Sequence, residues 1–201
     1  MILRRASWIP LRFTPRAWRV RLTWALALPF ILLAQPSPEL LALGGALSLA
    51  GLALRAAAAG SIQKDRSLAA GGPYAHVRHP LYVGTFFTGL GLALAGGRWF
   101  LPPAFLGLFL WVYGRSIRQE NGKLEWLFGE SYRHYRREVP AFIPRLRPYR
   151  PPAPGEGQGP DLVCTEGPSL GLYVRNKEWK AVLGTAAGFG LLWVKAVLLG
   201  G

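Results

Sequence analysis

Gly72-Pro73-Tyr74-Ala75-His76-Val77-Arg78-His79-Pro80-Leu81-Tyr82-Val83-Gly84 sets Gly, Pro, Tyr, His and Arg directly against an apolar run, Leu81 to Ala95. Charged and imidazole groups at the mouth of a membrane segment are costly to desolvate, so by default they mark a functional site. Pro80 suits the first turn of a helix, where a missing N–H costs nothing, and His79 then sits at the interface. The Gly and Pro residues are explained by the turn. Tyr74, Arg78, His79 and Tyr82 together are not.

The rest of the chain fits a membrane setting. Of 201 residues, 51% are hydrophobic, and 24 Lys and Arg outweigh 10 Asp and Glu to give a net charge of +14. Mean hydropathy is +0.20 and the isoelectric point about 10.9. A basic soluble chain would point to nucleic acid. In a membrane protein the same excess points to loops facing anionic lipid. The charges avoid the apolar runs, which favours the membrane and argues against a nucleic-acid partner. The length allows one domain with an appendage. A single cysteine, Cys164, excludes an internal disulfide and a cysteine-based metal site, and it reads as an incidental loop residue. No metal is expected.

Five apolar runs stand out: Leu22 to Ala34, Leu40 to Ala59 broken by Arg55, Leu81 to Ala95, Trp99 to Tyr113, and Ala181 to Leu199 broken by Lys195. A spanning helix needs about 20 residues, which the second and fifth runs reach unaided. The others reach it if Trp18, Arg19, Arg21, Arg98 and Trp99 sit in the interface. Core helices of a soluble protein are the competing reading, and five such runs in one small basic chain disfavour it. A signal peptide is disfavoured for the first run, because Leu32-Leu33-Ala34 is a poor cleavage site and the basic lead is long. The links Gln35 to Glu39 and Gly96 to Arg98 are short enough to make antiparallel helical hairpins. The basic segments all fall on the side opposite those links. The positive-inside rule puts them in the cytoplasm.

The expected fold is all-α, a polytopic membrane bundle of two antiparallel hairpins. A basic N-terminus (1–21) precedes helices at about 22–36, 39–59, 80–96 and 98–115. A cytoplasmic segment (115–149) follows, then a Pro- and Gly-rich linker (150–178) and an added membrane helix (179–201). A second polar block runs from Arg115 through Arg118, Glu120 and Asn121 to Tyr135. The short hairpin link should return Arg115 to the level of Pro80, so that the two blocks face each other. Glu120 is placed to accept from a ligand hydroxyl or ammonium, and Arg115 or Arg118 to hold a carboxylate or phosphate. Leu124, Leu127, Phe128 and Tyr135 also form an apolar stripe, as in an interfacial helix with Arg133, Arg136 and Arg137 toward headgroups.

Both blocks match one family. The chain resembles the isoprenylcysteine carboxyl methyltransferase and phospholipid methyltransferase group of integral-membrane methyltransferases. The first block is carried here by Gly72, Tyr74, Arg78, His79, Pro80, Tyr82 and Gly84. The second is carried by Glu120, Leu124, Phe128-Gly129, Tyr132, Tyr135 and Val139-Pro140, with Phe142-Ile143-Pro144 after. The match runs from about Leu40 to Pro148. It departs at Asn121, where the family has a second Glu, and this bears on acceptor identity.

The resemblance implies S-adenosyl-L-methionine as cofactor, in a cytoplasm-facing pocket lined by Leu68, Ala69, Tyr74, His79, Pro80, Leu81, Tyr82 and Glu120. It implies methyl transfer to a lipid-like acceptor drawn from the membrane, most simply carboxyl O-methylation of an isoprenylcysteine-like substrate. A carboxylate acceptor is already ionised at neutral pH and needs a cationic anchor, Arg118 or Arg115. An amine acceptor, as in phospholipid N-methylation, would need a base, and His79 is the candidate. The alternatives are an NADPH-dependent membrane reductase of sterol-reductase type, which shares an Arg-His-Pro-x-Tyr block, and a non-catalytic protein that has kept the fold. No dinucleotide fingerprint is present: Gly89-Leu90-Gly91 lies inside an apolar run and reads as close helix packing.

Overall fold

The computed structural model describes residues 26–62, 67–150, 163–164 and 168–200. The first helix, α1, is described over 26–33. It is followed by α2 (Pro38–Ser61), α3 (Pro80–Ala95), α4 (Leu101–Glu138), α5 (Leu170–Arg175) and α6 (Trp179–Gly200). A 3-10 turn covers Gly72–Ala75, and a two-residue parallel pairing joins β1 (Leu68–Ala69) to β2 (Val163–Cys164). The basic N-terminal segment (1–21) lies outside the described residues.

Local chemistry sets the helix ends. Ser37 caps α2 by accepting from the Leu40 N–H at 3.4 Å, Pro38 occupies the first turn, and Glu39 opposes the helix dipole. Pro80 starts α3 in the same way, with His79 at the cap position. The two tight connections lie side by side, the Gln35 N–H donating to the Gly96 carbonyl at 2.7 Å.

Backbones approach closely where α2 meets α3. A Cβ on Gly44 would sit 2.3 Å from the Gly91 carbonyl oxygen, and one on Gly51 2.6 Å from that of Gly84. Ser48 Oγ donates across the seam to the Thr88 carbonyl at 2.9 Å. Small residues in register allow such contact, which rewards van der Waals packing where no hydrophobic force acts between helices. Gly91 belongs to this seam, whereas Gly89 faces the Phe105 ring of α4.

Two helices, Pro38–Ser61 and Trp179–Leu198, are long and apolar enough to cross a membrane, and only 17% and 11% of their apolar windows are buried in the protein. A core helix of a soluble protein would be covered. Their exposed side chains, Leu43, Leu49, Leu183, Leu191, Trp193 and Leu198 among them, suit contact with lipid. The chain is therefore a mostly helical protein of membrane type.

Two segments differ from the sequence reading. The helix expected to end near 115 does not stop there, because α4 continues to Glu138. Gly114 and Gly122 each cost only about 1 kcal/mol in a helix, and good helix formers surround them. The break comes at Gly129, whose φ of 51° and ψ of −124° lie outside the helical region. The stripe Leu124, Leu127, Phe128 and Tyr135 also turns inward rather than toward lipid. It packs on Leu68, Ala70, Ala75, Tyr132, Val139 and Tyr149 as a second small core beyond the helix ends.

The last helix is packed into the bundle. Leu192 is fully buried with Ala34 and Ala95, against Phe30, Leu92 and Phe189. Lys195 Nζ donates to the Ile31 and Leu32 carbonyls at 2.6 and 2.8 Å, capping α1. Asn176 Nδ2 does the same for α2 through the Ala59 and Ile62 carbonyls. Glu178 pairs with Arg55 of α2 at 2.5 Å, the two side chains only 12% and 19% exposed. Arg55 also donates to Thr85 Oγ1 and to the Leu81 carbonyl. Glu178→Ala would strand that guanidinium and should lower stability by about 3 kcal/mol, with Glu178→Gln costing less. Thermal unfolding in detergent measures this, and equal midpoints for all three proteins would show that the pair holds nothing.

Candidate functional site

His79 lies at the centre of the polar groups where α3 begins. Its side chain is 2% exposed, with Nε2 3.0 Å from Asn121 Oδ1 and Nδ1 3.7 Å from Glu120 Oε2. The Tyr132 hydroxyl donates to the same Asn121 oxygen at 2.5 Å. An amide oxygen only accepts, so the imidazole proton sits on Nε2. In the neutral ring this leaves the Nδ1 lone pair toward Glu120. The Tyr82 ring lies 5.7 Å from His79 and 5.3 Å from Tyr113 of α4.

Gly129 makes this cluster possible. Asn121 and Tyr132 are eleven residues apart, which on a straight helix means roughly 16 Å along the axis. The break folds residues 130–138 back, so that Tyr132 reaches Asn121 and the Tyr135 hydroxyl donates to the Tyr74 carbonyl at 2.6 Å. Arg133 then pairs with Glu125 at 2.9 Å and also with Glu130, and Arg136 approaches Glu125 at 3.5 Å, bracing the bend outside.

Arg78 stands beside His79. Its Nε and Nη1 atoms are buried and make no hydrogen bond to the protein. The guanidinium also faces the Tyr132 hydroxyl. Sequence reasoning saw Arg78 and Tyr132 in the two motif blocks without giving either a role, and it missed the structural part of Asn121. A buried cation with open donors is a tertiary property, and the one signal for it was the position of Arg78 within the Arg-His-Pro block.

Burial pushes the His79 pKa below 6.5, outweighing the Glu120 carboxylate and the Asn121 oxygen, which raise it, and with Arg78 lowering it further. The folded protein thus takes a proton less readily than the unfolded chain. Stability from this group is complete above pH 6.5 and is lost as pH falls from there toward the lower folded value. The wild type should lose melting temperature over that window and His79→Gln should lose less; parallel pH profiles would remove His79 from the account. Burial likewise raises the Tyr132 and Tyr135 pKa values, which keeps both hydroxyls as donors.

The other expected residues divide. Ala69, Tyr74 and Leu81 pack together with Ala58 of α2 and Ile62 just after it, while Leu68 faces Phe128 and Tyr132 in the second core. Pro80 is buried at the start of α3, and the Glu120 side chain is 37% exposed. Arg115 and Arg118 are exposed on α4, and neither forms a salt bridge with a described residue. Among the described residues no three His, Cys, Asp or Glu side chains come together as metal ligands. A groove of about 290 Å³ lined by Ala56, Ala57, Gly60, Pro168, Ser169, Leu170 and Tyr173 contains none of the site residues.

These features define a membrane-type helical protein with a compact polar site where its helices end. Over 84 residues the chain is 40% identical to the protein-S-isoprenylcysteine O-methyltransferase of Schizosaccharomyces pombe, covering 41% of this chain and 35% of that one. Over 88 residues it is 36% identical to the cobalt-zinc-cadmium resistance protein CzcN of Cupriavidus metallidurans, covering 44% and 40%. The nickel-cobalt-cadmium resistance protein NccN of Alcaligenes xylosoxydans xylosoxydans matches at 36% over 88 residues, covering 44% and 41%. The matches thus span about two-fifths of these relatives. No family model matches the chain, and no solved structure does.

Proposed function

We propose that the protein is an integral-membrane methyltransferase that uses S-adenosyl-L-methionine to O-methylate the carboxylate of a lipid-like, isoprenylcysteine-like acceptor. It would be multi-pass, with the site on the cytoplasmic side where the basic segments gather. The observation that carries the reading is Arg78: a guanidinium with two buried, unsatisfied donor nitrogens, next to His79 at the mouth of apolar helices. Orphaned buried donors carry a desolvation cost that an anionic ligand relieves.

The residues present fit the cofactor. Glu120 would accept from its hydroxyl or ammonium groups and Tyr82 would flank it, while Leu68, Ala69, Tyr74, Pro80 and Leu81, packed in the adjoining cores, would back those two. When bound, the cofactor supplies a methyl group on a sulfonium, already a good leaving group. The chain's own task is to position, to exclude water and to arrange charge. Arg78 holds the acceptor carboxylate, the role that the sequence assigned to Arg118 or Arg115. His79, with its proton fixed on Nε2, orients Asn121 and Tyr132 along one side. Its Nδ1 lone pair favours one second reading, an amine acceptor such as a phospholipid amine, from which His79 would take a proton.

The test is titration of the detergent-purified protein with S-adenosylhomocysteine. Saturable binding is expected, weakened about 10- to 100-fold by Glu120→Ala, the worth of a hydrogen bond to a charged group. No binding by a folded wild type would sink the methyltransferase reading, and binding of NADPH in its place would support a reductase.

A further inference from the structure

The segment after α4 returns to the membrane side of the molecule. The Phe142 ring lies 5.5 Å from Phe86 of α3 and 6.0 Å from Phe109 of α4. Phe86 is six residues into α3, about 9 Å along the helix from Pro80. Phe142 therefore anchors this loop beside the apolar part of both helices rather than above their ends. Its neighbours Ile143 and Leu146 are 78% and 96% exposed. Arg147 and Arg150 are exposed on the same loop, as are Arg136 and Arg137 at the end of α4. Apolar side chains at helix depth beside cations at the rim make the pattern of an interfacial anchor.

The same loop is stitched to the site. The Arg78 N–H donates to the Pro140 carbonyl at 2.9 Å, the Arg145 N–H to the His76 carbonyl at 2.9 Å, and the Tyr149 N–H to the Ala75 carbonyl at 2.8 Å. His76 Nδ1 lies 2.8 Å from the Arg145 carbonyl. The backbone that carries Arg78 and His79 thus rests on residues 140–149.

We infer that residues 141–150 dock into the anionic headgroup layer of the bilayer that holds α2 and α6, with Ile143 and Leu146 immersed and Arg147 and Arg150 on lipid phosphates. The inference rests on the membrane reading of α2 and α6 and is independent of the chemistry at the site. A second copy of the chain or a soluble protein would be a different occupant of the same surface.

The test uses the full chain with Cys164→Ser, one copy per phosphatidylglycerol-containing nanodisc. Nitroxide labels are placed at Leu146→Cys and, separately, at Leu191→Cys on the exposed face of α6. Collision with oxygen against a water-soluble nickel complex reads depth. Both labels should prefer oxygen, and the Leu146 label should shift toward water when Arg147 and Arg150 are both changed to Glu or when the lipid is purely zwitterionic. A lipid-immersed Leu191 label with a water-exposed Leu146 label overturns the docking and leaves the membrane reading intact. Water exposure of both overturns the two together. Immersion of Leu146 that ignores the arginines and the lipid charge overturns the anionic contact, and immersion seen only with two copies per disc assigns the surface to self-association.

Discussion

Gly129→Ala should abolish high-affinity S-adenosylhomocysteine binding and lower the melting temperature, although the added methyl would touch nothing within 4 Å. The effect is conformational. At φ 51° and ψ −124° an L side chain is strained whatever the space around it, at a cost of order 1–3 kcal/mol. The cheaper course for the variant is to straighten α4, since alanine is the best helix former. Straightening carries Tyr132 away from Asn121 and Tyr135 away from Tyr74, dismantling one wall of the site and the second core together. Binding should fall at least tenfold, since about 1.4 kcal/mol of lost preorganisation suffices for that. Titration with S-adenosylhomocysteine and thermal unfolding read the two effects separately. Wild-type affinity in Gly129→Ala would mean that the bend does not build the site.

Arg78→Ala should leave S-adenosylhomocysteine affinity within about twofold while methyl transfer falls by about 100-fold or more. A hydrogen bond to a charged group is worth roughly 1.5–3 kcal/mol, and Arg78 offers a carboxylate a buried donor nitrogen that has no partner in the protein. Arg78→Lys should recover little, because a compact ammonium cannot place its donors where the planar guanidinium does. Arg115→Ala and Arg118→Ala serve as controls: both residues are exposed, where a single charge contributes little. The measurement is kcat/KM with a prenylated-cysteine acceptor beside the cofactor titration. If Arg118→Ala is crippled and Arg78→Ala is not, the anchor is the residue the sequence suggested. If Arg78→Ala loses cofactor affinity instead, its guanidinium serves the cofactor carboxylate rather than the acceptor.

Both effects arise from one local architecture. His79, Asn121 and Tyr132 form one hydrogen-bonded unit, with Arg78 and Glu120 on its flanks. Asn121 stands where the resemblance would place a second carboxylate. In this structure its amide oxygen accepts from two sides at once and draws the bend of α4 onto the start of α3. A carboxylate could accept the same two bonds but would add a negative charge beside Glu120. The substitution therefore keeps the geometry and lowers the acidity of the site.

Much of this was legible in the chain. Apolar runs of helical length, Ser37-Pro38 and Pro80 at helix starts, and the short links Gln35 to Glu39 and Gly96 to Arg98 determine a mostly helical, lipid-compatible architecture, because length, capping and loop closure are local matters. The juxtaposition of the His79 and Glu120 blocks also followed from the short link between α3 and α4. Tertiary structure alone decided the rest. Whether Gly129 continues or breaks α4 depends on what residues 130–138 can pack against, and Leu68, Ala70 and Ala75 lie far away in sequence. Whether Arg78 or Arg118 is the desolvated cation depends on burial, which no spacing rule reports. Whether the apolar stripe from Leu124 to Tyr135 faces lipid or protein depends on the bend, and the seating of α6 depends on Lys195, Asn176 and Glu178 finding helix ends and Arg55 more than a hundred residues earlier in the chain. A sequence determines the periodicity of its elements. Which side chains lose water is settled only when those elements meet.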